Sequence, residues 1–145
     1  MRHHLVLRII TKMLVTPILL FALYVQFHGD YGPGGGFQAG VIFAAAFILY
    51  ALVFGLETAR KVAPDGVVRG LMAAGALLYA SVGIAGLLLG GNFLDYSVLA
   101  QTPMQGQHLG ILIIEFGVGV TVAAVMITVF FTYAGCNPPI SDEEW

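Results

Sequence analysis

Four apolar stretches, each about 19 to 26 residues long, dominate this chain and fix the solvent in which it can fold. At about 1.5 Å per helical residue, such a length crosses a hydrocarbon core of about 30 Å. The stretches run from Ile9 to Phe27, Gln38 to Leu56, Val68 to Leu89 and His108 to Tyr133. They lack the apolar–polar alternation of a membrane strand. The sequence therefore predicts an all-α integral membrane protein with four transmembrane helices, a single membrane domain over residues 1–145 that ends in an acidic tail, 134–145. Composition agrees, because 59% of the residues are hydrophobic and 10% are charged, too few charges to cover a soluble domain.

The basic residues set an orientation. Arg2, Arg8 and Lys12 lie at the amino end, and Arg60, Lys61 and Arg69 surround the connection between the second and third spans. The other two connections carry no Lys or Arg, so the positive-inside rule places both termini in the cytoplasm. The first span has the outline of a signal peptide, but it ends in Gln26, Phe27 and His28 rather than a small-residue cleavage site, and is expected to remain. A net charge of −2 gives no basic surface for nucleic acid. The single cysteine, Cys136, excludes an internal disulfide and a cysteine metal cage. Without a nucleophile triad, a carboxylate pair or a Cys/His cluster, no enzyme, cofactor or metal site is expected.

Helices associate in lipid through close packing and interhelical hydrogen bonds, which favours small residues at their contacts. Gly40 with Ala44, Ala51 with Gly55, and Gly86 with Gly90 each stand four apart and are predicted to form packing faces. Pro17 is expected to loosen or kink the first helix.

Two features do not suit lipid. From His28 through Asp30 to Pro33, Gly34, Gly35, Gly36 and Phe37, the chain favours neither helix nor strand, and a tight turn is predicted between the first two spans. Such a turn is either a plain connection or, beside the start of a helix, a functional or interface element. Glu115 is the second feature. Counted from His108 it lies seven residues, or about 10 Å, inside its span. A carboxyl at that depth needs a partner, water or a proton, so it serves either an ion path or a structural contact with a neighbouring subunit. His108 falls on nearly the same helical face, where it is either a relay or a solvated side chain. Lys12 is expected to snorkel to the headgroups.

The segment His28-Gly29, the run Pro33-Gly34-Gly35-Gly36-Phe37-Gln38 with Gly40, and an acidic residue before a Gly-Val in the last helix carry a resemblance. On a four-span frame they resemble the MrpB/MnhB family, the B-type subunits of the Mrp-type multisubunit Na+/H+ antiporters, over about residues 9–133. Related subunits occur in membrane-bound hydrogenases. The family often has a histidine where Asp30 stands and a glycine where Ala39 stands. The resemblance implies a bacterial or archaeal cytoplasmic membrane, partner subunits of the A, C, D, E, F and G types, and Na+ and H+ as transported ions. It carries functional weight onto Pro33, Gly34, Gly35, Gly36, Phe37 and Glu115, and matches Lys12 to a basic residue near the first helix. Whether such a subunit contributes to a cation path or only scaffolds the larger carriers stays open at this level.

Overall fold

The computed structural model describes residues 5–29 and 32–136, so Asp30, the acidic residues of the tail and Trp145 lie outside the described residues. Every regular element among the described residues is helical. Helix α1 is Leu5–Phe27, α2 is Gly36–Phe54, α3 is Leu56–Val62, α4 is Asp65–Leu88 and α5 is Pro103–Gly135, with one 3-10 turn at Tyr96–Leu99. Helices α1, α2, α4 and α5 are each long and apolar enough to cross a membrane. Their outward surface is apolar as well: Leu20 and Leu77 are 62% and 68% exposed, an arrangement stable in a bilayer and not in water.

Local chemistry explains the boundaries. Helix α1 runs through Pro17 without a break. The second helix ends one residue before Gly55, whose φ of +93° interrupts the chain before α3 turns away. The expected Ala51–Gly55 face is therefore a helix end, and so is Gly86–Gly90, because Gly90 sits in a turn at φ +85°. Helix α5 starts five residues earlier than His108, where Thr102 accepts a hydrogen bond from the Gln105 amide and Pro103 occupies the first turn. Thr121, Thr128 and Thr132 donate their hydroxyls to carbonyls one turn back, at 2.8 Å each, which hides three polar groups from lipid.

Helix α5 is the central element. It packs between α4 and α2, and α1 packs on the other side of α2, so the order in space is α1, α2, α5, α4. An apolar groove of about 410 Å³ opens between the end helices, floored by Ala39, Gly40, Gly119 and Ala123. Contacts across α5 are backbone-close. A Cβ on Gly40 would stand 2.6 Å from the Gly119 carbonyl oxygen, and one on Gly75 would stand 2.7 Å from that of Gly117. At the opposite end of the bundle from the glycine turn, Arg60 donates to the Phe131 carbonyl at 3.3 Å, pairs with Asp65 at 3.7 Å and covers the Phe131 ring, tying α3 to α5.

These contacts also set heights along α5. Gly36, at the start of α2, meets Glu115, whereas Tyr96, in the α4–α5 connection, covers Gly106 and Gly110. Nine residues separate Glu115 from Gly106, or about 13 Å at the helical rise. The described glycines of the α1–α2 turn thus meet α5 well short of the level at which the α4–α5 connection covers Gly106.

Gly40→Ala should destabilise the chain by about 1 to 3 kcal/mol through overpacking against Gly119 and Val122. Gly70→Ala, with open space around its Cβ in α4, should stabilise by about 0.5 to 1 kcal/mol. Thermal unfolding in mild detergent checks both.

Candidate functional site

The turn between α1 and α2 closes with the Gly32 amide donating to the His28 carbonyl at 3.2 Å, and the Ala39 amide donating to the Gly35 carbonyl at 3.0 Å opens the new helix. Gly35 holds φ +141°, a conformation that side chains rarely tolerate. The turn lies directly against Glu115. A Cβ on Gly29 would stand 2.9 Å from Glu115 Oε2, one on Gly35 would stand 3.0 Å from Oε1, and one on Gly36 would overlap the Glu115 backbone carbonyl. The two features that did not suit lipid are therefore one site. Its glycines are the residues whose missing side chains leave room for a half-buried carboxylate.

One further polar residue belongs here that the sequence did not single out. Gln26, the next-to-last residue of α1, is 6% exposed, and a Cβ on Gly119 would stand 2.6 Å from its Oε1. Gly119 is one turn beyond Glu115, so Gln26, the glycine turn and Glu115 share a single seam between the α1–α2 hairpin and α5. A glutamine inside an apolar helix was the available signal.

The remaining candidates divide. His28 borders the turn, exposed and stacked on Tyr24 with ring centroids 4.8 Å apart. Pro33 and Phe37 face outward, Phe37 at 61% exposure, while Gly34 packs on the Val25 backbone. His108 is exposed and, with Met104 and Ile111, lines a cleft of about 360 Å³ on α5. Residues 104, 108, 111 and 115 follow one helical stripe, with Glu115 one turn beyond the last residue that lines the cleft. The helix that begins at Pro103 puts Glu115 twelve residues, about 18 Å, from its start, deeper in α5 than a count from His108 gives. Lys12 is not brought to the site: it is 17 residues before Gly29 on α1, about 25 Å away along the helix, with its Nζ 5.7 Å from the Phe54 ring centroid.

Comparison with known proteins places this arrangement. The family described as "Domain related to MnhB subunit of Na+/H+ antiporter" matches residues 6–128. The chain is 38% identical over 133 residues to "Putative antiporter subunit mnhB2" of Staphylococcus aureus strains Newman, JH1 and Mu3, covering 90% of this chain and 94% of each relative. The chain belongs to the MnhB family. The match takes in the whole seam, from Gln26 through the glycine turn to Glu115 and Gly119.

Beyond the seam, the α4–α5 connection of this MnhB-family chain is held by Asp95. The Ser97 hydroxyl and the Ser97 amide, the latter at 3.1 Å, both donate to its carboxylate. These bonds, the hydroxyl's first, hold the carboxyl below its ordinary value of 3.8. A depressed carboxyl contributes stability above the unfolded value, and that contribution disappears as pH falls through the lower folded value.

Ser97→Ala should return the Asp95 pKa toward 3.8, read by NMR titration of the side-chain carboxyl. Gly36→Ala should force the turn off α5 and lower stability by about 1 to 3 kcal/mol, and Gly35→Ala should act the same way through its backbone angle. Cysteine crosslinking between the turn and α5 would report the separation.

Proposed function

We propose that this antiporter subunit contributes Glu115, roofed by the glycine turn, as a carboxylate station on the cation path of a multisubunit Na+/H+ antiporter. The observation that carries the reading is the contact itself: both Glu115 oxygens lie against the backbone of Gly29 and Gly35, with no side chain of the turn between them. A carboxylate exchanges a proton for a cation at one place, which is the elementary event that antiport requires. Away from water that exchange needs other polar atoms to compensate the charge, and a glycine turn lets the main chain come close to the carboxylate. One carboxylate holds a monovalent cation weakly, so the remaining oxygen ligands come from turn carbonyls, water or neighbouring subunits of the A and C to G types.

Access follows from the height difference along α5. Because the described glycines of the turn meet α5 at Glu115, an access route for the ion runs along the stripe of Ile111, His108 and Met104, between the carboxylate and the end of α5. The distribution of Lys and Arg makes that end the outward one, in a bacterial or archaeal cytoplasmic membrane. Exposed Phe37 and Pro33, beside the turn, then face lipid or a partner helix.

Glu115→Gln keeps the shape and removes the charge. In membrane vesicles containing the whole complex it should lower Na+/H+ exchange at least about tenfold, corresponding to about 1.4 kcal/mol or more of lost interaction. The other subunits should still copurify with it. Unchanged exchange with an intact complex would mean a subunit that only scaffolds the carriers, and copurification with iron–sulfur proteins would assign the chain to a hydrogenase-type complex.

A further inference from the structure

Arg8 and Lys12 stand one turn apart on α1, at the end of the bundle opposite the glycine turn, and both reach the ring of Phe54, the last residue of α2. The Arg8 guanidinium carbon is 5.1 Å and Lys12 Nζ is 5.7 Å from the ring centroid. Tyr50 stacks on the same ring at 4.7 Å, which fixes its orientation. Like charges at this spacing repel, and exposed side chains of this length are free to diverge. Here the aromatic ring gathers them instead. The neighbouring ion pair, Arg60 with Asp65, includes neither cation.

The surroundings identify what fits. Thr11, between the two cations in sequence, is buried, while Ile9 and Met13 beside them are 50% and 70% exposed. A soluble anion would leave those apolar side chains bare. A molecule with a phosphate at one end and hydrocarbon at the other covers both, and the patch lies within three turns of the start of a membrane-spanning helix, at headgroup depth.

We propose that Arg8, Lys12 and Phe54 form a headgroup site for an anionic glycerophospholipid. The phosphate sits between guanidinium and ammonium, and one acyl chain runs inward along α1 from Met13 toward Leu20, both exposed. Such a lipid bridges α1 and α2 and holds the hairpin at a set depth. This site does not depend on the ion-path reading, since Glu115 is about 25 Å away along the helix.

The test uses the purified full chain in a neutral detergent, titrated with phosphatidylglycerol, phosphatidylcholine or sodium phosphate, with thermal unfolding and native mass spectrometry as readouts. Phosphatidylglycerol should raise the melting temperature by roughly 3 to 8 °C and persist as a bound adduct, and neither of the other two should. R8Q/K12Q should weaken phosphatidylglycerol binding at least about tenfold, whereas R69Q, which removes a charge elsewhere at the same end, should not. F54L keeps both charges and should weaken binding in the same direction, and it decides the matter should the double variant not fold. Equal protection by phosphatidylcholine, or equal loss in R69Q, would overturn the site. Equal protection by inorganic phosphate would overturn the lipid assignment.

Discussion

Close approach of helix backbones is the constraint on which this structure depends. Inside a bilayer, leucine gains nothing by leaving lipid for protein, so the helices need contacts that lipid cannot make. Gly40 against Gly119 and Gly75 against Gly117 provide them: carbonyls and neighbouring side chains occupy the space a Cβ would fill. The large side chains are turned outward instead, and the buried residues of the core are mostly alanine and valine. In a soluble bundle the same distribution would expose most of the hydrophobic mass to water.

The same close packing produces the site. The glycine turn lies on α5 at Glu115 because Gly36 lets the start of α2 approach within backbone contact, and Gly29 and Gly35 leave room for the carboxylate. A half-buried acid between two helices is thereby roofed by main chain rather than by hydrocarbon. Gln26 and Gly119 continue the polar seam by one more turn. Packing and ion chemistry use one set of residues, so a substitution that loosens the contact also displaces the charge.

At the other end, the devices change with the solvent. Arg60 reaches a carbonyl, a carboxylate and a ring at once, and Phe54 gathers two cations. The exposed Arg60–Asp65 pair is worth about 1 kcal/mol or less, so it orients the short α3 rather than stabilises the bundle. The depth of each hairpin is set by such anchors and by the glycine contacts along α5, not by helix length alone.

The number of long helices, their apolar exterior and the turn between the first two were legible from residue order, because a bilayer leaves so few options for a hydrophobic run of about 20 residues. Family membership was legible from the glycine turn and Glu115. The early start of α5 was also present in the sequence, in Thr102-Pro103, but a hydropathy window discounts polar residues that begin a helix. The break at Gly55 escaped for a related reason, since a glycine in an apolar run reads equally as packing surface or as a helix end. Only the tertiary structure decided that Glu115 lies under the turn, that Gln26 joins it and that Lys12 does not. Those residues are separated by up to 103 positions in sequence, and what brings them together or apart is the height at which one helix pair slides along another. No local pattern encodes that height, because it is fixed by which glycines meet across α5.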